Sequence, residues 1–83
     1  MITVFTKDGC PYCTKAINLL EGYDIQYMTT NVSENKAGLT FLKSAGHTTV
    51  PQIYNNFDLL VEGGYDGLAK LSKEDIIERV KCN

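Results

Sequence analysis

The chain has 83 residues, enough for one core and too few for two, so a single domain over 1–83 is expected. With 43% hydrophobic and 22% charged residues it falls among ordinary globular chains, not disordered or collagen-like ones. A formal net charge of −2 leaves no basic surplus for nucleic acid or anionic lipid, no apolar run approaches the ~20 residues that span a bilayer, and Met1-Ile2-Thr3-Val4-Phe5 shows neither the n-region nor the cleavage site of a signal peptide. Nucleic acid and membranes are therefore not expected as partners, and the cytoplasm is the expected location.

No repeat, low-complexity tract or linker interrupts the chain. Ile2–Thr6 alternates and is rich in β-branched residues, which predicts a strand, and Lys7-Asp8-Gly9 predicts a turn. A helix opens around Pro11, a residue favoured at the first helical position because its missing N–H would be unpaired there anyway. Cys13, Ala16, Ile17 and Leu20 fall on one face, and Gly22 is expected to supply the stop. Ile25 and Tyr27 alternate within a second strand expected over 24–30. A second helix is expected over 33–45, with Asn31 and Ser33 as candidate N-caps and Glu34 completing a capping box from Asn31. Ala37, Phe41, Leu42 and Ala45 would form its apolar face, and Gly46 would end it.

After Pro51, a short strand is expected over 52–54, a turn at Asn55-Asn56, and a hairpin partner over 59–62. Gly63-Gly64 breaks the chain before a short helix over 65–71. Ser72 then reads as a fresh N-cap with Asp75 in the first turn, and Leu71 and Ile76 are placed to staple across it. Ile76, Ile77 and Val80 supply the buried stripe of the last helix. The order β-α-β-α-β-β-α begins with a parallel pair joined by a right-handed crossover and ends in antiparallel strands. The expected fold is α/β, with a small mixed four-stranded sheet flanked by helices.

Three cysteines, an odd number, argue against a secreted disulfide framework. Cys10-Pro11-Tyr12-Cys13 directly follows a strand and opens a helix. At a helix N-terminus unpaired N–H groups and the macrodipole favour an anion, so a thiolate at Cys10 is stabilised and its pKa falls into the ~3.5–7.5 range of such sites. Lys7 and Lys15 add positive charge nearby. Cys13 lies one turn later on the inward face, so Cys10 is expected to attack and Cys13 to resolve the mixed disulfide. Two alternatives keep the same residues: a zinc site in which His47 and Cys82 complete four ligands, or an iron–sulfur cluster shared between two chains. The absence of a second metal-type pair, and Pro11-Tyr12 at the helix start, favour redox use with no metal. Cys82, next to last, matches no catalytic motif and reads as incidental. His47 reads as a polar residue at the exit of the second helix rather than a catalyst.

Two further segments stand out. In Thr48-Thr49-Val50-Pro51-Gln52 the residues leave the isomer of the Val50–Pro51 bond open; a cis bond would turn the Val50 backbone outward, toward an extended peptide. Gly63-Gly64-Tyr65-Asp66 feeds a helix N-terminus and makes an anion-binding turn. Asp66 there is either a helix-dipole partner or a counter-charge for a ligand ammonium.

Thr6-Lys7-Asp8-Gly9-Cys10-Pro11-Tyr12-Cys13, Thr49-Val50-Pro51-Gln52-Ile53 and Gly63-Gly64-Tyr65-Asp66, in this order and at these spacings, resemble the dithiol glutaredoxins of the thioredoxin-like superfamily. The resemblance covers essentially the whole chain. It implies a thioredoxin-like fold and a glutathione-dependent oxidoreductase, with Cys10 and Cys13 as the catalytic pair. The expected substrates are protein disulfides and glutathione mixed disulfides; no cofactor is bound, and glutathione is the reducing co-substrate of a monomer. Pro51 would be cis and sit against Cys10. Lys7 and Tyr12 would line the glutathione groove, with Lys7 near the glycine carboxylate. Val50 would pair its backbone with the cysteinyl part, flanked by Thr49. Gly64, Tyr65 and Asp66 would hold the γ-glutamyl end, with backbone N–H groups to its carboxylate and Asp66 to its ammonium. Members often carry a second acidic residue after Asp66; here it is Gly67, which lowers the expected γ-glutamyl affinity. The short chain resembles bacterial and bacteriophage members and implies electron donation to ribonucleotide reductase. A redoxin served by thioredoxin reductase is the alternative within the same chemistry, and the Gly63-Gly64-Tyr65-Asp66 turn favours glutathione over it.

Overall fold

The structure is a computed structural model that describes residues 1–81. The expectation for Cys82 lies outside the described residues. The elements are β1 (Ile2–Thr6), α1 (Pro11–Gly22), β2 (Tyr27–Asn31), α2 (Lys36–Ser44), β3 (Gln52–Asn55), β4 (Asp58–Val61), α3 (Gly64–Ala69) and α4 (Lys73–Lys81). The short helix and the separate last helix expected after Gly63-Gly64 are α3 and α4. The strands lie in the order β2-β1-β3-β4, with β1 parallel to β2 and antiparallel to β3, and with β3 and β4 forming a hairpin. Val4, at the centre, pairs with Thr29 on one side and Ile53 on the other.

The alternation of β1 divides its side chains between two apolar layers. Ile2 and Val4 pack with Ala16 and Leu20 of α1, Ile53, Leu60, Leu68 of α3 and Ile76 of α4. Phe5 faces the other way, into a layer with Leu42 of α2 and Tyr54. In that second layer Phe41 stacks on Phe5 at 5.5 Å and meets Tyr54 edge-on at 5.1 Å. Each fully buried large side chain contributes roughly 1.5–3 kcal/mol through burial, so these two layers hold the sheet's ends where the loops of the site begin. No helix among the described residues is long and apolar enough to cross a membrane.

Several boundaries differ from expectation, each for a local reason. Gly22 is the last residue of α1, and the left-handed turn that ends the helix falls on Asp24, at φ 57°. There the N–H groups of Asp24 and Ile25 return to the carbonyls of Glu21 and Leu20, both at 3.0 Å. Those residues are consumed by the helix end, so β2 begins only at Tyr27. The start of α2 is also later than expected. Its N-cap is Asn35, whose Oδ1 accepts from the N–H of Gly38 at 2.9 Å. Asn31 and Ser33 instead serve the loop before α1. Asn31 donates to Asp8 Oδ1 at 2.8 Å, and Ser33 Oγ accepts from the N–H of Asp8 at 3.1 Å. The buried face of α2 is Gly38 and Leu42 with Phe41 partly covered; Ala37 and Ala45 lie off that face and are exposed. Asn55 closes β3, so the turn falls on Asn56 and Phe57. Two expectations at helix ends hold fully. Gly46, at φ 86°, terminates α2, and Ser72 and Asp75 cap α4 reciprocally at 3.1 and 3.2 Å.

Candidate functional site

The strand β1 delivers the chain to a three-residue loop, 7–9, and the loop delivers Cys10 to the start of α1. Cys10 is the N-cap itself: its backbone is extended, and its Sγ accepts the N–H of Cys13 at 3.3 Å. Oxygen side chains usually fill this role, satisfying one of the orphan N–H groups of the first turn. Pro11 follows at the first helical position, as its chemistry favours. Cys10 and Cys13 are joined as a disulfide with their Cα atoms 5.3 Å apart. The two sulfurs are unequal in access, because Cys10 is partly exposed whereas Cys13 is 3% exposed.

A second segment meets the first at Val50. The Val50–Pro51 peptide is cis, and the Val50 carbonyl oxygen lies 3.9 Å from Cys10 Sγ. Gln52 steadies this loop by donating through Nε2 to the Thr49 carbonyl at 3.0 Å. The third segment closes on the second. Gly64, buried and left-handed at φ 57°, packs so tightly on Pro51 that a β-carbon there would stand 2.7 Å from the Pro51 carbonyl oxygen. Only glycine satisfies both the conformation and the approach.

Together the three segments wall a groove of about 590 Å³ lined by Tyr12, Thr49, Val50, Pro51, Gly64, Tyr65 and Asp66. These are the expected ligand-contacting residues except for Lys7. Lys7 is exposed and lines an adjoining smaller cleft of about 170 Å³, which shares Thr49 and Val50 with the groove. The Tyr12 and Tyr65 rings face one another at 6.1 Å, and Lys15 Nζ sits 4.9 Å from the Tyr12 centroid, so Lys15 is engaged with these rings as a cation–π partner.

Sequence reasoning missed three contributors. His47 lines the groove and is held by Tyr54, with Nε2 2.7 Å from the phenol oxygen. Burial raises the pKa of that Tyr54 phenol. Gln52 and Glu62 line the groove as well. Their only sequence signal is adjacency to the proline and glycine motifs. Gly67 has a steric cause: a β-carbon there would overlap the carbonyl oxygen of Glu62. Among the described residues no group of three or more His, Cys, Asp or Glu is arranged to hold a metal ion.

Comparison with known proteins bears directly on this arrangement. A family model described as Glutaredoxin matches residues 2–59. Glutaredoxin 1 of Rickettsia prowazekii is 34% identical over 82 residues, covering 95% of this chain and 84% of the relative. Glutaredoxin 3 of Escherichia coli K12 is 35% identical over 71 residues, covering 84% and 83%. Among solved structures, a buckwheat glutaredoxin–glutathione complex superposes with a TM-score of 0.74 at 22% identity, covering 96% of this chain and 76% of the other. That likeness establishes the thioredoxin-like fold. Given the family match across the redox pair and the cis-proline strand, together with relatives about a third identical along most of their length, the chain belongs to the glutaredoxin family and is a thiol–disulfide oxidoreductase.

Proposed function

We propose that this protein reduces protein disulfides and glutathione mixed disulfides with glutathione as its reductant. The observation that carries this reading is the placement of Cys10 Sγ at the N-cap of α1, accepting the Cys13 N–H at 3.3 Å and 3.9 Å from the carbonyl oxygen of Val50, which lines a groove with Tyr12 and Asp66. In the reduced protein the same N–H and the helix dipole stabilise a thiolate on Cys10.

The chemistry follows from that charge. Cys10 thiolate attacks the glutathionyl sulfur of a mixed disulfide. The old S–S bond breaks, the substrate thiolate leaves and takes a proton from water, and Cys10 is left joined to glutathione. A second glutathione thiolate attacks that glutathionyl sulfur, releasing oxidised glutathione and restoring Cys10. With a protein disulfide, Cys10 forms the mixed disulfide and the buried Cys13 closes on Cys10, displacing the substrate thiol. Two glutathione molecules then reopen the Cys10–Cys13 bond in two exchanges.

In this reading the groove takes glutathione in one direction. Asp66 pairs with the γ-glutamyl ammonium, and the N–H groups of the Gly64-Tyr65-Asp66 turn meet its carboxylate. The Val50 backbone pairs with the cysteinyl residue, flanked by Thr49, and Tyr12 covers it. Lys7, beyond Val50, receives the glycine carboxylate. Glutathione is the named ligand of the buckwheat neighbour, which supports this assignment. Electron donation to ribonucleotide reductase and action in the reducing cytoplasm belong to the same proposal. A coupled assay decides it. Turnover with glutathione and glutathione reductase is expected, and turnover with thioredoxin reductase alone would overturn it. The oxidised ribonucleotide reductase is then offered as the protein substrate.

A further inference from the structure

Tyr12 and Tyr65 come from different elements and both line the groove. Tyr12 lies in the first turn of α1, between the two redox cysteines, and Tyr65 lies in the first turn of α3, beside Asp66. Their rings are 6.1 Å apart and tilted by 37°, so the pair joins the turn of the redox cysteines to the turn of Asp66. The two rings are not equally fixed. Tyr65 packs against the core layer that holds Ala16, Leu20 and Leu68, whereas Tyr12 is 54% exposed. An exposed tyrosine that must be ordered when a ligand arrives weakens binding by the rotamer freedom it loses.

Lys15 supplies a restraint on that ring. It follows Tyr12 by three positions, which places both on one face of α1. Its Nζ lies 4.9 Å from the Tyr12 centroid and 5.9 Å from that of Tyr65, so one ammonium meets both rings within the ~6 Å reach of a cation–π contact. Lys15 does not line the groove. With Tyr65 it lines a separate recess that Leu19 and Tyr23 complete, and it reaches the ring pair from there.

We infer that Lys15 is a positioning residue for the groove: its ammonium clamps Tyr12 to Tyr65 and so pre-forms the wall against which a glutathionyl substrate docks. The inference rests on the reading of the groove as the glutathione site. Lys15 acts through the two rings, so its contribution falls on binding and not on the sulfur chemistry. Its charge is engaged with the rings, while Cys10 Sγ has a partner of its own in the Cys13 N–H.

The test uses the full chain with Lys15→Met, Lys15→Arg, Tyr12→Leu and the double variant Tyr12→Leu/Lys15→Met. Lys15 and Tyr12 are both exposed, so these replacements leave the core intact, and thermal unfolding of each variant checks that they do. The substrate is the mixed disulfide of glutathione with mercaptoethanol, and glutathione is the reductant. Lys15→Met keeps an unbranched stem and removes the charge. It is expected to raise KM for the mixed disulfide about two- to fivefold and to leave kcat within about twofold, the effect of an exposed cation–π contact that acts on binding alone. Lys15→Arg is expected to restore the wild-type KM, because a guanidinium also stacks on aromatic faces. In the Tyr12→Leu background the further loss of Lys15 is expected to change KM by less than about twofold, since the two side chains act as one unit. The pKa of Cys10, from its alkylation rate against pH, is expected to be the same in Lys15→Met as in the wild type. An unchanged KM in Lys15→Met would overturn the inference, as would a Lys15→Arg variant no better than Lys15→Met. An equal rise in KM with and without Tyr12 would also overturn it, by making Lys15 a general attractor of the anionic tripeptide. A raised Cys10 pKa in Lys15→Met would overturn it too, by making Lys15 a partner of the thiolate. A wild-type protein that does not turn over with glutathione would refute the glutathione reading instead.

Discussion

The carbonyl oxygen of Glu62 fills the space that a side chain on residue 67 would need, and Gly67 is what permits the turn from β4 into α3 to close. The same turn brings Gly64 onto Pro51. Two glycines three positions apart therefore set how tightly the third segment of the site folds over the second.

Gly67→Asp, which places a second acidic residue directly after Asp66, is expected to harm this protein. The β-carbon would collide with backbone rather than with a flexible side chain end. A loss of about 2 kcal/mol or more is expected, and a fall in Tm of about 10 °C. Thermal unfolding of the variant measures it. A variant as stable as the parent, binding glutathione more tightly, would show that the turn is freer than its packing indicates.

Cys10→Ser is expected to abolish all exchange. Cys13→Ser is expected to retain reduction of glutathione mixed disulfides and to lose most activity on protein disulfides, because only the latter needs the buried sulfur to displace the substrate. Steady-state rates on the two substrate classes check the division. Equal loss in both variants would contradict the roles given to the two sulfurs.

Asp66→Ala is expected to raise the KM for glutathione about two- to fivefold with little change in kcat, the size of an exposed ion pair worth up to about 1 kcal/mol. An unchanged KM would return Asp66 to its other role, a negative charge in the first turn of α3.

Tyr54 supplies a prediction at high pH. Burial raises its pKa in the folded chain, so above the ordinary tyrosine value of about 10 the unfolded chain has lost a proton that the folded chain still holds. Stability is therefore full below that pH and declines as pH rises through the folded value. Tyr27, whose hydroxyl bonds to Glu21, has a pKa shifted the same way and adds to the decline. Tyr54→Phe is expected to lose about 1 kcal/mol at neutral pH with its bond to His47, and to show a shallower alkaline decline. Denaturant unfolding at neutral and alkaline pH measures both effects.

What could be read from the residues depended on how locally each feature is determined. Pro11, Gly46 and the Ser72–Asp75 pair act within one turn of chain, and they sit as their chemistry dictates. Asn31 and Ser33 looked like helix caps but are recruited by Asp8, more than twenty residues away, a competition no local pattern displays. Asp24 took the left-handed position that Gly22 seemed made for, because the last buried residue of α1, Leu20, sets where the helix ends. At the site, the three motifs were visible separately, yet only the register of β1 against β3 shows that Val50 reaches Cys10. Lys7, which the family resemblance places along the glutathione groove, lines two clefts of its own, one with Thr49 and Val50 and one with Cys10 and Cys13. His47 carried no signal of its own, since its place at the groove is fixed by a bond to a tyrosine on another element.

The central claim is that the first turn of α1 holds Cys10 ionised. The rate of Cys10 alkylation as a function of pH, measured on reduced Cys13→Ser protein, tests it most directly. An apparent pKa well below the ordinary thiol value of about 8.5, with the thiolate already predominant at neutral pH, is the predicted result. An alkylation profile centred on that ordinary value would contradict the account.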